Sequence, residues 1–261
     1  MEQGSPEATA WNTWADFYDV ADGDRAAHVA FYSGLLTDRI HSVLELGCGT
    51  GTMVSTLAQR MARRNDNTQA IRIVGIDASE GMLRVARSRD ASVEWIFGDM
   101  RSPPIQGPFD LIFCCYNTLQ HLLVDADLAQ AFGAVRDLMQ PDGTFAFDIY
   151  QPNVAYLRIP RVNKMARSIT DGNGRHLEIR EDHVYDADTQ LATTTWRLVD
   201  RDKAGAPPLA HTSYHHRQYF PADVDRLLAS AGLVIRERYG DFDRTPFNKD
   251  SKKQILVCGR A

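Results

Sequence analysis

The chain has 261 residues, 44% of them apolar and 24% charged, which is the composition of an ordinary globular protein with room for a substantial core. A formal net charge of -5 excludes the overall positive field that recruits nucleic acid or an anionic membrane. No run approaches the roughly 18 apolar residues of a membrane span, MEQGSPEATAWNTW lacks the pattern of a secretion signal, and the four cysteines form no C-x-x-C. These features predict a cytoplasmic protein whose thiols are reduced and buried.

In chain order, Trp11, Trp14, Phe17 and Tyr18 recur at helical spacing, and a second helical segment runs from about His28 to Leu36. Residues 1–40 thus read as a helical cap over the mouth of a domain whose sheet begins near Val43. His41 to Leu46 is a buried strand. Met53 to Met61 is a helix with apolar residues at 53, 54, 57 and 61, and its Arg60, Arg63 and Arg64 form a solvated face. Strands at 71–76, 93–97 and 111–115 alternate with helices at 80–86 and 128–139, and PDGTFAFDIY turns into a fifth strand at 144–149. Strands separated by helices imply a parallel sheet covered on both faces.

After Pro152 the period changes. Asn173-Gly174 suits a tight hairpin and Asp186 to Thr189 another turn. Between them Leu177, Ile179, Glu181, His183 and Tyr185 share one face; Thr194, Trp196 and Leu198 share a face of the next piece, and His211 to Tyr219 is a third. Such mixed polar and aromatic faces fit a small antiparallel sheet lying over something. PADVDRLLASAG then has proline at a first helical position and glycine at the end, LVIRERY is a strand, and Lys253 to Cys258 is the last one. The division predicted is a core at 41–152 and 220–261, interrupted by an inserted substrate-side subdomain at 153–219.

The glycine turn VLELGCGTG holds Gly47, Gly49 and Gly51 as G-x-G-x-G. This is neither the G-x-G-x-x-G of a dinucleotide fold nor a loop ending in G-K-[ST], so a nucleoside triphosphate with its metal is disfavoured. A close backbone approach to a ligand at the carboxyl end of the first strand remains. In VGIDASEGML, Asp77 ends the second strand, where a carboxylate can accept from two ribose hydroxyls, and Met82 follows within reach of a flat base. Asp99, in GDM, ends the third strand.

With VLELGCGTG, VGIDASEGML, GDMRSP, FDLIFCCYNTLQHL, PDGTFAFDIY and LLASAGLVIRERYG, the sequence resembles class I S-adenosylmethionine-dependent methyltransferases. The late antiparallel insertion is most similar to small-molecule N-methyltransferases related to glycine N-methyltransferase and the amino-sugar N,N-dimethyltransferases. The resemblance implies an α/β, Rossmann-like fold, with a mostly parallel seven-stranded sheet whose last strand is antiparallel. It implies S-adenosyl-L-methionine as cofactor and S-adenosyl-L-homocysteine as product. Carried over by motif, Gly47 and Gly49 line the methionine part, Asp77 with Ala78 the ribose, and Met82, Asp99 and Met100 the adenine. Cys115 passes beside the cofactor backbone, Glu45 braces the glycine loop from beneath, and Tyr18 closes over the methionine end.

Methyl transfer from a sulfonium needs an in-line nucleophile and a dry site, with no metal and no covalent enzyme intermediate; a base matters only when the acceptor arrives protonated. His121, His216 and Tyr214 are the candidates for that role, although adjacent His215 and His216 point to opposite sides of an extended strand. Tyr32, Asn117, Trp196, Arg217, Tyr219 and Tyr239 are the candidates for holding the acceptor, and Asp241 or Phe247 of the segment before the last strand belongs with them. The expected partner is a small molecule, methylated most readily on nitrogen, with no nucleic acid or membrane involved and the oligomeric state left open. The alternatives are a small-molecule O-methyltransferase and a noncatalytic cofactor-binding module.

Overall fold

A computed structural model describes residues 9–23, 25–64, 70–203 and 205–261. The first strand, β1 (Ser42–Leu46), is followed by a helix, α3 (Thr52–Arg64), that buries Met53, Val54, Leu57, Ala58 and Met61 along one stripe. Each of the Met, Val and Leu side chains contributes about 1.5–3 kcal/mol relative to exposure, so this stripe seats the helix and thereby the turn before it. The remaining core elements are β2 (Arg72–Asp77), α4 (Glu80–Arg89), β3 (Glu94–Phe97), β4 (Phe109–Cys114), α5 (Asp125–Leu138), β5 (Met139–Tyr150), α7 (Pro221–Ser230), β10 (Leu233–Tyr239) and β11 (Lys253–Arg260).

These strands form one seven-stranded sheet in the order β10-β11-β5-β4-β1-β2-β3. Pairing is parallel from β3 to β5, whereas β11 runs antiparallel to both β5 and β10. Side-chain alternation sorts the core. Leu44, Ile112, Phe145 and Phe147 pack under α5 and α7 with Phe132 and Leu227. On the opposite face Val43, Phe113, Ala146 and Val257 pack under α3 and an N-terminal helix, α2 (Ala26–Ser33). The strand order reverses between β4 and β1, and the glycine turn leaves the carboxyl end of β1 at that switch, where α/β sheets hold ligands.

The second sheet has four antiparallel strands in sequence order: β6 (Arg161–Thr170), β7 (His176–Asp186), β8 (Leu191–Asp200) and β9 (Ala210–Arg217). Gly174, with φ of 78°, makes the turn between β6 and β7. The ten-residue β6 is exposed on nearly every position, so it carries no alternation by which to recognise it in the sequence. Register aligns Arg161 with His183, His183 with Thr194, and Thr194 with Tyr214 in one row across the sheet. A short helix, α6 (Val154–Leu157), links the two sheets, and the cap consists of a 3-10 turn (Ala15–Phe17), α1 (Tyr18–Asp22) and α2. All four cysteines are buried and none is in a disulfide. Among the described residues no helix is long and apolar enough to cross a membrane.

Candidate active site

At the end of β1 the chain must turn sharply and still satisfy its backbone. The amides of Gly47 and Cys48 both donate to the Ile76 carbonyl of β2, at 2.8 and 2.9 Å, which pins the turn across the switch point. Gly47 has φ of 68°, and a Cβ built there falls 2.2 Å from Thr118 Cγ2, so both conformation and space require glycine. Gly49 has φ of 54° and a Cβ there meets nothing within 4 Å: its open side is a cradle that a ligand can enter. Beneath the turn, Glu45 accepts from the Val54 amide at 3.0 Å and from Cys115 Sγ at 3.1 Å. Burial in this apolar setting pushes the Glu45 carboxyl up to about 8.

Asp77 accepts from the Gly49 amide at 2.7 Å and the Ser79 amide at 2.8 Å, while Ser79 Oγ caps α4 by accepting from the Met82 amide. Burial raises the Asp77 carboxyl to about 6, and its backbone hydrogen bonds hold it lower than burial alone would. Each of its oxygens keeps a lone pair for a hydroxyl donor. Asp99 lines the same space, but its carboxylate is engaged by Arg101, which donates from Nε at 3.0 Å and from its amino group at 2.6 Å and also reaches Asp127. These hydrogen bonds hold Asp99 below the usual carboxylate range against the opposing effect of burial.

A cavity of about 1060 Å³ opens above this floor, lined at one end by Gly47, Gly49, Asp77, Ala78, Met82, Asp99 and Met100. Its opposite wall is sheet two, which contributes Ile179, Glu181, His183, Thr194, Trp196, Tyr214 and His216. The volume lies at the upper end of the roughly 300–1,000 Å³ typical of sites that enclose a drug-sized ligand. His121, on a 3-10 turn (Thr118–His121) after β4, brings its Nε2 within 3.3 Å of His216 Nε2. Their contact makes one imidazole the donor and the other the acceptor. Desolvation depresses both, His121 to about 4 and His216 well below the ordinary histidine value. Tyr214 packs on the pair, 4.8 Å from the His216 ring, and burial keeps its phenol protonated by raising it well above the ordinary tyrosine value.

Between the two ends runs the N-terminal segment. Asn12 Oδ1 accepts from the Gly81 amide and Ser79 Oγ at the start of α4, both at 2.8 Å. Asp19 accepts from Thr50 Oγ1 at 2.7 Å beside the glycine turn and pairs with Arg25 and Arg89. On the other side, Thr13 Oγ1 donates to His211 O, Thr212 Oγ1 donates to Ala10 O, and Trp11 stacks on Tyr214 at 4.8 Å. Trp11 also meets Tyr18, His121 and Trp196 edge-on, so one indole joins the cap to the second sheet.

Of the site residues expected from the sequence, Tyr18, Gly47, Gly49, Asp77, Ala78, Met82, Asp99, Met100, Asn117, His121, Trp196, Tyr214 and His216 line this cavity. Glu45 lies beneath the turn, lining a smaller pocket, and Cys115 is its buried partner. Four expectations are corrected. Tyr32, on the buried face of α2, is fully buried and donates to Asp148 Oδ1 at 2.9 Å, and Tyr219 is fully buried and donates to the Leu122 carbonyl at 2.6 Å; both are core residues. Arg217 ends β9 outside the cavity, where its guanidinium bonds the Thr189 carbonyl, and Tyr239 bonds its own strand neighbour Glu237. From the segment before β11 it is Asp250 to Lys253, not Asp241 or Phe247, that line the cavity.

Several lining residues carried no signal in the sequence. Arg25, with a side chain 10% exposed, sits between the Tyr18 and Tyr116 rings at 5.4 and 5.3 Å and lines the smaller pocket beside Gly47 and Gly49. A single arginine between two short helices has no periodicity to betray it. Lys253 Nζ binds the fully buried Asp148 at 3.0 Å, and His28 stacks on Tyr116 at 4.2 Å. Asp148 also accepts from the Tyr116 amide, which helps hold Tyr116 and Asn117 at their positive φ values of 59° and 62°.

Residues 43–143 match a family model described as a methyltransferase domain. The cypemycin N-terminal methyltransferase of a Streptomyces species is 25% identical over 223 residues, covering 84% of this chain and 83% of the relative. Trans-aconitate 2-methyltransferase of an Azoarcus species is 34% identical over 103 residues, 39% of this chain and 38% of that one. The CcbJ methyltransferase structure from Streptomyces caelestis superposes with a TM-score of 0.80 at 24% identity, covering 98% of this chain and 99% of that chain. Two putative methyltransferases, of a Geobacillus species and of Bacillus subtilis, match over 112 residues, 41% of this chain and 42% of their own length.

Proposed function

We propose, from the premise that this chain carries a class I S-adenosylmethionine-dependent methyltransferase domain, that it methylates a nitrogen atom of a small-molecule acceptor. The observation that carries this reading is one cavity with the glycine turn, Asp77 and Met82 at one end and His121, Tyr214 and His216 at the other. The open side of Gly49, the lone pairs of Asp77 and the side chain of Met82 suit an amino-acid end, a ribose and a base in that order. Bound there, the cofactor supplies a sulfonium methyl group to a nucleophile held in line. Arg25, beside the turn and clamped by Asp19, suits the carboxylate of the methionine part.

Nitrogen is favoured over oxygen by the state of the polar groups on the acceptor wall. A hydroxyl or phenol must lose its proton as it attacks, which calls for an effective base. The imidazoles of His121 and His216 are depressed by desolvation and are weak bases, and Tyr214 stays protonated. A neutral amine is a nucleophile already. Neutral imidazoles can accept its N–H and orient its lone pair toward the methyl, and the proton released after transfer passes to solvent. The N-terminal methyltransferase activity in the name of the cypemycin relative agrees with this reading.

Incubation with labelled methyl donor and a panel of amines, phenols and carboxylic acids, read by mass shift, tests it. The expected products are methylated amines. Labelling confined to phenols or carboxylates overturns the choice of nitrogen, and tight cofactor binding with no transfer to any compound favours a noncatalytic module.

A further inference from the structure

The floor and the histidine pair leave one part of the cavity wall without a task. On β6 and β7, Arg161 and His183 are cross-strand register partners, and both line the cavity. Arg161 is held by its Nε, which donates to Glu181 Oε1, and Trp196 Nε1 donates to Glu181 Oε2 at 3.0 Å. Glu181 is thus occupied on both oxygens and acts as a bracket that fixes the planes of the guanidinium and the indole. The Tyr156 ring stacks near Arg161, 5.0 Å from the guanidinium carbon. Yet Arg161 Nη1 is buried, on a side chain only 10% exposed, with no hydrogen-bond partner; beside it His183, only 6% exposed, has its ring against the Leu157 carbonyl. His183 Nδ1 is used, facing Thr194 Oγ1 at 3.2 Å.

Buried donors without partners are rare, because each forfeits its hydration and receives nothing in return. Such a donor on a wall pre-set by Glu181 is complementary to a ligand. We infer that Arg161, flanked by His183, forms a subsite that binds a carbonyl or carboxylate oxygen of the acceptor, away from the nitrogen that is methylated. Arg161 already shares its charge with Glu181, so the subsite suits a neutral carbonyl as well as a carboxylate. The flanking Tyr156 and Trp196 suit an apolar or aromatic body between the two polar ends. This inference rests on the methyl-acceptor reading of the cavity and deepens it: the acceptor is an amine that bears an oxygen acceptor at a distance.

The test uses the full chain loaded with S-adenosylhomocysteine and three probes on one skeleton: 4-(2-aminoethyl)benzoic acid with its carboxylate, 4-(2-aminoethyl)benzamide with a neutral carbonyl, and phenethylamine with neither. Calorimetry is expected to find the two carbonyl compounds bound about tenfold or more tightly than phenethylamine, as for sites built to hydrogen-bond a ligand group. Arg161→Met is expected to bring them down to the level of phenethylamine. The wild-type preference is measured without any variant, so the inference stays exposed even if Arg161→Met does not fold. Whichever of the carboxylate and amide binds better identifies the oxygen chemistry. Equal binding of all three, binding of none, or a preference that survives in folded Arg161→Met overturns the subsite. A chain that does not load S-adenosylhomocysteine overturns the cofactor reading beneath it instead.

Discussion

The two ends of the cavity are built by different means. At the glycine turn the groups that meet lie on adjacent parallel strands and act largely through the backbone: Gly47 and Cys48 on the Ile76 carbonyl, Gly49 on Asp77. At the wall formed by the second sheet they come largely from side chains of distant segments, with Ala10 and Thr212 joined across 202 positions and His121 and His216 across 95. A backbone cradle tolerates little change, because its shape is its recognition. A side-chain wall can be refitted one residue at a time, which is the arrangement expected where a common donor serves varied acceptors.

The comparison breaks most visibly at Asp77. Asp77→Ala removes the acceptor for the Gly49 and Ser79 amides as well as the group proposed to hold the ribose, and each orphaned amide costs about 1–3 kcal/mol. Cofactor affinity is expected to fall about a hundredfold by calorimetry; a loss under about tenfold would mean that the turn holds its shape without that carboxylate. At the other end, His216→Ala is expected to lower kcat about tenfold or more while leaving cofactor affinity within about twofold. A fall in cofactor affinity as large as that in kcat would erase the distinction between the two ends. Because desolvation holds His121 at about 4, kcat in the presence of a weakly basic amine should hold steady well below the usual histidine range as pH falls. A midpoint between about 6 and 7 would show that the pair is not desolvated during turnover.

Trp11→Ala tests the link between the ends. It removes the stack on Tyr214 without touching the Asn12 and Asp19 contacts to the turn and α4. A rise in acceptor KM of about fivefold is expected, with a smaller change in cofactor affinity. The smallest effect is at Glu45. Its folded value of about 8 exceeds the ordinary 4.5, so the native state binds more protons than the unfolded chain between those limits. Stability contributed by this group is therefore complete below about pH 4.5 and is lost as pH rises toward 8. Glu45→Gln keeps an acceptor for the Val54 amide and removes that dependence. The melting temperature of the variant relative to wild type should rise by a few degrees between pH 5 and 8, and a difference that stays flat or falls would contradict a protonated Glu45.

The legibility of the molecule follows the same division. The alternation of strands and helices from 41 to 150 was readable because strands buried on both faces are continuously apolar and their helices carry a 3.6-residue stripe. Leu233–Tyr239 was readable from its parity. β6 was not, since a strand exposed on nearly all positions has no pattern. Tyr32 and Tyr219 look in sequence like any cavity aromatic, and only the Asp148 and Leu122 acceptors reveal them as core. Arg25, Arg161 and Lys253 are isolated cations whose burial and partners are set wholly by packing.

By itself the sequence determined the floor of the site: the three glycines, Asp77 and Met82 fall within 36 positions on local elements, and glycine conformation, strand ends and helix starts are local properties. The tertiary structure alone decided the walls. It brought His121 against His216, stacked Trp11 on Tyr214, and set Arg161 beside His183 with its Nη1 unpaired. Those meetings depend on how the second sheet lies over the first, and that is set by the packing of the whole core, which no local window of sequence contains.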